Sequence, residues 1–423
     1  MRVVILGALC CLLFVGPADA GVLPSGTDLN GDAATNPREV FHSEAVRGRR
    51  SYLTNLGNLA FNSPYTLGET AQKAGMSCGT CHVNGASNSK LFIPGLSTRP
   101  GTFDTTSHLF NPKTDNSVLD PVTIPSLRGA RFLAPYGHDG RTGSLRDFVH
   151  NVIVNEFAGE EPSTQILDAI VAYINDIDFL PNPNLDAGGH LKVEGAARRG
   201  EALFSKSCAS CHRPDAAFVD HQAHDVGSGG LFKTPTLLNA DFNAPYFHDG
   251  RYDNYGQVIE HFNRVLGLHL DGGQRADLAA YLTAIGNGVL PEYQLAGINV
   301  LEDENGFASV LDIAIAQRDR EVIHLSTQTV GEQLHDLAER YPDSADIPGG
   351  VEERRLARAT VEHLVETLNG IATDADAGHF DAAATKYLSY RRLTVAAAPR
   401  ALQMAEPWSL FNPTLRVARE SGE

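Results

Sequence analysis

Apolar side chains recur along this chain at helical spacing. Two stripes follow the order i, i+3, i+4 and i+7, which marks the buried face of an α-helix. Each stripe follows a sequence that resembles a capping box, because Ser144 stands three residues before Asp147 and Asn254 three before Gln257. The pattern predicts a mainly α-helical protein. The stripes are Leu145, Phe148, Val149, Val152 and Ile153, and then Tyr255, Val258, Ile259 and Phe262.

The segments before these helices are two copies of one pattern. Residues 124–141 (IPSLRGARFLAPYGHDGR) and 234–251 (TPTLLNADFNAPYFHDGR) lie 110 positions apart, and 11 of their 18 positions are identical. Flanking helices repeat too, since an early helix carries a glycine four residues before an aromatic residue and a late helix carries an Ala-Tyr pair. We expect each early helix to cross its late helix closely at the glycine. The early pairs are Gly57/Phe61 and Gly200/Phe204, and the late helices are residues 170–177 and 278–285.

This repeat sets the predicted domain organisation. We expect a first module at residues 21–185 and a second at 186–295, joined by a linker rich in Pro, Asn and Gly that begins at Pro181. Residues 296–423 are predicted to form a helical appendage, in which Trp408 either caps a module edge or docks a partner. The appendage is predicted to be helical around 322–341, 353–368 and 379–393, with breaks at 342–350 and 373–378.

Composition limits the class of protein. The chain has 423 residues, of which 42% are hydrophobic and 20% charged, so it can bury a core. Its net charge of −17 argues against a general nucleic-acid binder, which needs a basic face, and fits a basic protein partner better. No internal apolar run reaches the roughly 18 residues of a membrane span, so no integral membrane segment is predicted.

The first twenty residues have the pattern of an export signal. Arg2 supplies a positive charge, residues 3–15 are apolar, and Ala18-Asp19-Ala20 forms a small-x-small cleavage site before Gly21. The alternatives are a buried N-terminal helix and a lipoprotein cysteine at position 10 or 11. We therefore expect residues 1–20 to be a signal peptide and the mature chain to begin near Gly21, outside the cytoplasm.

Four of the six cysteines lie beyond that signal, in two Cys-x-x-Cys-His motifs: Cys78-Gly-Thr-Cys81-His82 and Cys208-Ala-Ser-Cys211-His212. This spacing is typical of c-type haem attachment, in which two thiols bind one porphyrin edge and His82 or His212 ligates iron. A Cys₄ zinc site, a redox dithiol and two short-loop disulfides are the alternatives. The pairs start 130 residues apart, too far for zinc spacing, and a redox dithiol does not need the histidine. A disulfide across a four-residue loop would stabilise little, because its effect grows with the loop that it closes. Two covalently bound haem c groups are therefore predicted.

The residues alone leave the identity of the ligand on the far side of each iron undecided. Beyond the signal, the methionines are Met76, which is two residues before Cys78, and Met404 in the appendage, so His/Met ligation of both haems is disfavoured. Bis-histidine ligation and an open position remain. His150 and His261 lie off the apolar stripes and are predicted on solvated faces. The candidate distal histidines are His108, His138 and His150 for the first haem, and His221, His224, His248 and His261 for the second.

Two repeated side chains suggest how the haem propionates are held. Arg141 and Arg251 end the two HDGR turns, and a guanidinium matches a carboxylate through paired hydrogen bonds. His138 and His248 in the same turns are read as iron ligands, or as histidines that bond a backbone carbonyl or a propionate.

Taken together, the two Cys-x-x-Cys-His motifs, the PSL or PTL sequence and the APYxHDG turn resemble the bacterial di-haem cytochrome c peroxidase superfamily. That superfamily includes the di-haem enzymes that mature the tryptophan cofactor of methylamine dehydrogenase. The resemblance covers about residues 50–290. It implies two fused cytochrome c modules in the periplasm, with one haem relaying electrons and the other binding peroxide. It also implies electrons supplied by a small cytochrome c or a cupredoxin.

The resemblance also assigns expectations to particular residues. Phe262 stands where the family has a distal Met or Tyr, which predicts an open second haem. His224 resembles the loop histidine of the relay module although it lies in the second module, and His108 is the only loop histidine of the first. Glu156, after Asn155, stands two residues short of the usual position of the catalytic glutamate.

The chain also departs from the family at the position between the two haems. Gly137 or His138 aligns with the inter-haem tryptophan of the family, and Tyr136 is the nearest aromatic substitute. The alternative for Glu156 is a solvated acidic turn shared with Glu160 and Glu161.

The predicted function is a periplasmic di-haem oxidoreductase that reduces hydrogen peroxide, with Glu156 as the acid–base group. A di-haem electron carrier and a family oxygenase or protein-modifying enzyme are the alternatives.

Overall fold

The structure is a computed structural model, and it describes residues 22–29, 38–186, 188–289, 295–344, 347–412 and 414–415. The predicted signal peptide at residues 1–20 and the predicted new N-terminus at Gly21 lie outside the described residues. The described chain is mainly α-helical, as the sequence predicted. None of its helices combines the length and apolar character that a membrane span needs.

Helices supply most of the regular structure, and the strands are two-residue pairs. The helices are α1 (His42–Arg47), α2 (Tyr52–Asn62), α3 (Glu69–Lys73), α4 (Cys78–Cys81), α5 (Leu145–Asn151), α6 (Thr164–Asp176), α7 (Ala196–Ser207), α8 (Tyr255–Val265), α9 (Gly272–Gly286), α10 (Gly297–Ala308), α11 (Leu311–Gln317), α12 (Arg320–Glu339), α13 (Val351–Asp376), α14 (Phe380–Arg392) and α15 (Ala398–Ala405). The strands are β1 (Val40–Phe41), β2 (Thr102–Phe103), β3 (Val122–Thr123), β4 (Ile177–Asp178), β5 (Ala223–His224) and β6 (Phe232–Lys233). They pair antiparallel as β1–β4, β2–β3 and β5–β6.

The chain divides into two compact units. One comprises residues 1–57 and 66–292, and the other comprises residues 58–65 and 293–423. Both Cys-x-x-Cys-His motifs and both copies of the repeat fall in the first unit. The finer boundaries predicted between two haem modules and an appendage remain predictions.

Within the first unit, the two copies of the repeat fold alike. Both contain a short 3₁₀ turn, at Ala130–Phe132 and Ala240–Phe242. The tyrosine of each APY sequence donates its hydroxyl proton to the first carbonyl of that turn, at 3.2 Å in both copies. The predicted caps are confirmed, because the side chain of Ser144 accepts from Asp147 N and that of Asn254 from Gln257 N.

Close helix crossings hold each copy together, and glycine permits them. A Cβ atom at Gly57 on α2 would overlap the carbonyl of Ala169 on α6 and lie 2.7 Å from Tyr173 Cβ. A Cβ atom at Gly200 on α7 would overlap the carbonyl of Asp277 on α9 and lie 2.8 Å from Cβ of Tyr281. The predicted crossing of an early and a late helix is therefore confirmed in both copies.

The two copies also exchange backbone hydrogen bonds in a nearly symmetric way. Thr123 N on β3 donates to His248 O at 2.7 Å, and Lys233 N on β6 donates to His138 O at 2.8 Å. The two donors are 110 residues apart, and so are the two acceptors. Each HDGR turn is thus fixed to a strand of the other copy.

The second unit is a bundle of α-helices with one irregular loop. The helices predicted around 322–341, 353–368 and 379–393 are confirmed. The predicted break at 373–378 begins later than expected, because α13 continues to Asp376. The buried Arg354 fixes the loop before α13 by donating to the carbonyls of Pro342 at 2.7 Å and Ser344 at 2.9 Å. Trp408 lies against Gly349 and Gly350 in the same loop, and its predicted role remains untested.

Candidate haem and acid–base site

The first Cys-x-x-Cys-His motif is a single helical turn that presents two thiols and an imidazole. Ser77 and Thr80 form a reciprocal capping box around α4, with Ser77 N donating to Thr80 Oγ1 at 2.9 Å. His82 N donates to Cys78 O at 2.9 Å, so the histidine follows directly on the turn. The imidazole Nδ1 of His82 lies 3.3 Å from Ala86 O. Because a carbonyl only accepts, Nδ1 carries the proton and Nε2 keeps the lone pair that a metal needs.

The second motif repeats this arrangement. His212 N donates to Cys208 O at 2.9 Å, and His212 Nδ1 lies 3.2 Å from Phe218 O. Burial lowers the pKa of His82 to about 4 and also lowers the pKa of His212. The backbone carbonyls of Pro125 and Pro235, at matching positions of the repeat, act in the opposite direction. Burial therefore favours the neutral form of both imidazoles, which is the form that ligates iron.

These residues fit a covalently attached haem in each motif. All four cysteines, which lie in the described part of the chain, are free thiols, so neither pair forms a disulfide. Burial raises the pKa of the Cys78 and Cys81 thiols to about 12. Two thiols that can form thioethers to one porphyrin edge, beside an imidazole that can ligate iron, are the groups that a c-type haem needs, and the chain presents them twice.

The two arginines predicted to hold propionates are bonded to carboxylates of this chain. Arg141 Nη2 lies 3.1 Å from Glu156 Oε1, and Arg141 also contacts Asp139. Arg251 Nε lies 2.8 Å from Asp249 Oδ2, within its own HDGR turn. Binding to a propionate remains a prediction for both arginines.

The histidines of the HDGR turns face the junction between the two copies. His138 Nε2 lies 2.7 Å from Thr123 O, and burial lowers the pKa of this imidazole. His248 stacks on Phe232 with ring centroids 3.6 Å apart. Its Nδ1 is buried without a hydrogen-bond partner among the described residues. His138 therefore bonds a backbone carbonyl, which is one of the roles considered for it. His248 instead keeps Nδ1 available to bond a group such as a propionate.

The loop histidines occupy different surroundings. His108 is 76% exposed, with Nδ1 3.6 Å from Asp115 Oδ2. His224 Nε2 lies 2.6 Å from Asp220 Oδ2. The polar atoms of His224 and Asp220 also lie within 4.8 Å of Cys211 Sγ, so this pair is next to the second attachment motif. The distal roles proposed for His108 and His224 remain predictions.

One of the two histidines predicted on solvated faces is buried instead. His150 is partly exposed and bonds the exposed Glu161 at 2.8 Å, as expected. His261 is only 3% exposed, so that expectation is wrong. Its Nδ1 lies 2.9 Å from Tyr252 Oη and its Nε2 lies 2.7 Å from Val226 O. The loop that contains Val226 covers the polar side of α8, and an apolar stripe cannot reveal such a tertiary contact.

Glu156 is not part of a solvated turn, because its side chain is only 12% exposed. It ends a π-helical turn, Val152–Glu156, that continues α5. Such turns are frequent at functional sites. The carboxylate accepts from Arg141 Nη2 at 3.1 Å, from Asn151 Nδ2 at 3.3 Å and from the side chain of Thr105. Burial raises its pKa, and Arg141 is the largest opposing influence.

A loop of the first copy encloses this carboxylate. Asn111 Nδ2 donates to Asn155 O at 2.6 Å, and Thr114 Oγ1 donates to the same carbonyl at 2.9 Å. Phe103, Phe110 and Phe157 pack on one another, with ring centroids 5.0–6.2 Å apart, and Phe157 directly follows Glu156. Sequence reasoning missed Thr105 and Asn151 as partners, because Thr105 is far from Glu156 in sequence and the second copy has His261 at the position equivalent to Asn151.

Comparisons with known proteins agree with the motifs. Residues 203–282 match the family model described as di-haem cytochrome c peroxidase. Hydrazine synthase subunit gamma from Kuenenia stuttgartiensis is 31% identical over 167 residues, which cover 34% of this chain and 45% of that protein. Methylamine utilization protein MauG from Methylophilus methylotrophus is 25% identical over 137 residues, which cover 25% of this chain and 41% of that protein.

A solved structure of Kuenenia stuttgartiensis hydrazine synthase gives a TM-score of 0.43 at 24% identity, covering 56% of this chain and 88% of that chain. The chain spans less than half the length of each curated relative named above.

Two c-type haem motifs on a helical scaffold define the class: a protein with two covalently bound c-type haems. Within that class, the resemblance to the di-haem cytochrome c peroxidase superfamily is confirmed.

Proposed function

We propose that this chain is an exported, periplasmic oxidoreductase that reduces hydrogen peroxide. It attaches haem at Cys78 and Cys81 and at Cys208 and Cys211, with His82 and His212 as axial ligands. The electrons come from a small cytochrome c or a cupredoxin. The net charge of −17 supports a basic donor, because opposite charge steers encounter. The reaction takes up two electrons and two protons for each peroxide and releases two waters.

The enclosed carboxyl group of Glu156 is the observation that carries this proposal. When bound, haem supplies the iron at which peroxide is reduced. The chain must then move a proton from one peroxide oxygen to the other. A carboxylate whose pKa is raised by burial is suited to that transfer, because it holds a proton more readily than an exposed glutamate does.

The residues around Glu156 fix its position for this role. Arg141 and Asn151 donate to Oε1, and Thr105 supplies a further hydrogen bond. With Oε1 held in this way, Oε2 is the oxygen we assign to proton transfer. The π-helical turn orients the carboxyl group, and the loop at 103–114 limits access of water.

The decisive experiment replaces Glu156 with glutamine in the haem-loaded protein. Glu156→Gln keeps the size and much of the hydrogen bonding but cannot transfer the proton. We expect peroxide turnover to fall at least about a hundredfold, while haem content and the resting spectrum stay unchanged. Glu160→Gln is the control, because Glu160 is exposed on the same segment. Turnover of Glu156→Gln within a few-fold of the parent would remove Glu156 from the mechanism.

The pH dependence gives a second test. The carboxylate form has to accept the first proton, so turnover should fall as pH drops through the raised pKa of Glu156. The same group affects stability with a definite sign. A carboxyl whose pKa is raised on folding favours the folded state most at pH below its unfolded pKa of about 4.5. That contribution is lost as pH rises through the folded pKa, and Glu156→Gln should remove this part of the pH dependence.

The cellular location can be tested separately. We expect the mature protein to be recovered from the periplasmic fraction with an N-terminus near Gly21. Recovery of the uncleaved chain in the cytoplasmic fraction would contradict the export proposal.

A further inference from the structure

A tyrosine and a buried histidine form a hydrogen-bonded pair directly after the second HDGR turn. Tyr252 Oη lies 2.9 Å from His261 Nδ1. On the other side of the ring, His261 Nε2 lies 2.7 Å from the backbone carbonyl of Val226. The imidazole is therefore held between a phenol and a carbonyl, and it is only 3% exposed.

The carbonyl decides which ring nitrogen carries the proton. Val226 O can only accept, so His261 Nε2 is protonated and Nδ1 has the lone pair. The phenol of Tyr252 must then be the donor in its bond with Nδ1. This is the arrangement in which a phenol can release its proton along an existing hydrogen bond.

An aromatic ring and a cleft adjoin this pair. Phe247 contacts both rings, with centroids 4.9 Å from Tyr252 and 4.7 Å from His261. Tyr252 and His261 also line an open cleft of about 620 Å³ between α8 and α9, together with Glu260, Arg264 and Arg275. The pair therefore adjoins both the aromatic interior of the module and solvent.

The first copy of the repeat has no such pair. Positions 110 residues earlier hold Thr142 and Asn151, neither of which can be oxidised or accept a proton in this way. The backbone bridge of the turn does not need a tyrosine at position 252, since Thr142 makes the same bridge to Tyr136 that Tyr252 makes to Tyr246.

We propose that Tyr252 and His261 form a redox-active pair that holds one oxidising equivalent in the second module. Tyr252 loses one electron and its O–H bond breaks, while the proton forms a new N–H bond at His261 Nδ1. The products are a neutral tyrosyl radical and an imidazolium whose Nε2–H still bonds Val226 O. Return of one electron from a reductant in the cleft brings the proton back. The oxidant is a one-electron acceptor: a haem of this protein oxidised by peroxide, for which the inference relies on the proposed function, or an external photo-oxidant.

An external oxidant tests the pair without relying on peroxide. The haem-loaded protein is illuminated with a ruthenium(II) polypyridyl photosensitiser and a sacrificial electron acceptor, frozen, and examined by electron paramagnetic resonance. We expect a tyrosyl radical, which ring-deuterated tyrosine would narrow, and slower formation in D₂O than in H₂O. Tyr252→Phe should remove most of that signal, whereas Tyr246→Phe should leave it, because Tyr246 donates its hydroxyl proton to the backbone carbonyl of Ala240, which is too weak a base to take that proton up.

The histidine is tested by changing its ability to accept a proton. His261→Gln retains an acceptor oxygen of very low basicity, so radical formation should slow about a hundredfold and lose its D₂O effect. If that variant does not fold, Tyr252→Phe and the D₂O effect in the parent decide the matter. A radical signal that persists in Tyr252→Phe, or a rate unaffected by D₂O in the parent, would overturn the proposal.

A second experiment uses hydrogen peroxide as the oxidant in place of the photosensitiser. The same radical after peroxide addition supports both the pair and the proposed function. A radical with the photo-oxidant but none with peroxide supports the pair and counts against peroxide as the substrate.

Discussion

The two copies of the repeat have nearly the same backbone and very different side chains after their HDGR turns. In the first copy, α5 passes into a π-helical turn that ends at Glu156. In the second, α8 continues regularly to Val265, and the position equivalent to Glu156 is the exposed Leu266. The first copy therefore holds an enclosed carboxyl group, and the second holds the Tyr252–His261 pair. The framework that the copies share therefore does not determine the chemistry of either one.

What the copies share is the framework that supports each haem motif. Both have the glycine crossing, the tyrosine bonded to a 3₁₀ turn and the exchange of hydrogen bonds with the other copy. Those features depend on backbone geometry, so they tolerate little change. The side chains on the helix after each HDGR turn, α5 or α8, are less constrained by the backbone. The two copies can therefore carry different chemistry there, with proton transfer proposed in the first and electron storage in the second.

The largest effect is expected from removing one attachment motif at a time. Cys78→Ala/Cys81→Ala and Cys208→Ala/Cys211→Ala should each load one haem in place of two, because each copy supplies its own thiols and imidazole. Intact mass and haem absorbance per chain measure this after co-expression with the maturation machinery. Two haems on either double variant would contradict the assignment. Loss of both haems from one variant would show that the copies do not load independently.

The next effect concerns the second copy alone. Phe262 stands at the position where the family carries an iron ligand, and it packs 5.8 Å from Phe247 between ring centroids. Phe262→Met should convert a high-spin ferric signal into a low-spin one and suppress the reaction with peroxide. Leu266→Met, one turn later and exposed, is the control. An unchanged electron paramagnetic resonance spectrum for Phe262→Met would show that position 262 does not face that iron.

Much of the framework could be predicted from the sequence because it depends on local patterns. The capping sequences at Ser144 and Asn254 mark helix starts through hydrogen bonds within one turn. The glycines at positions 57 and 200 imply crossings, because little else can approach a backbone so closely. The Cys-x-x-Cys-His motifs carry their chemistry within five residues. Such features need no knowledge of distant contacts.

The partners within the sites could not be predicted, because they depend on distant contacts. The polar side of α8 suggested that His261 is solvated, and only the loop at Val226 buries it. Glu156 was found by family spacing, but its enclosure depends on Thr105 and Asn111, which precede it by 51 and 45 residues. Helical periodicity also missed the π-helical turn, because the apolar stripe of α5 ends at Ile153, one residue after that turn begins.

A smaller effect is expected from filling the two helix crossings. Gly57→Ala and Gly200→Ala would each force a methyl group against a backbone carbonyl and a tyrosine Cβ. Each should lower the free energy of unfolding by about 1–3 kcal/mol, measured by guanidinium denaturation followed in the Soret band. Gly272→Ala, at the open first position of α9, is the control and should be neutral or slightly stabilising. A glycine variant as stable as the parent would mean that the helices can separate without cost.

The smallest effect is expected at Lys233 on β6, where the equivalent position of the first copy, on β3, has no charge. Lys233 Nζ donates to Leu133 O at 2.7 Å and Pro135 O at 2.6 Å, whereas its counterpart is Thr123. Burial lowers the pKa of Lys233 from 10.5 to about 8, so folding disfavours the ammonium form. The contribution of this group to stability is then fully present above its unfolded pKa and is lost as pH falls through about 8. Relative to Lys233→Met, the parent should therefore gain on the order of 1 kcal/mol in free energy of unfolding between pH 7 and pH 10.

Thr123→Val is the matched control for this last prediction, because it changes the equivalent strand position without a titrating group. Its difference from the parent should stay flat over the same pH range. A flat difference for Lys233→Met as well would mean that the ammonium form is as well solvated in the folded protein as in the unfolded chain. The two strands would then be electrostatically equivalent, and the asymmetry between the copies would be confined to the residues after the HDGR turns.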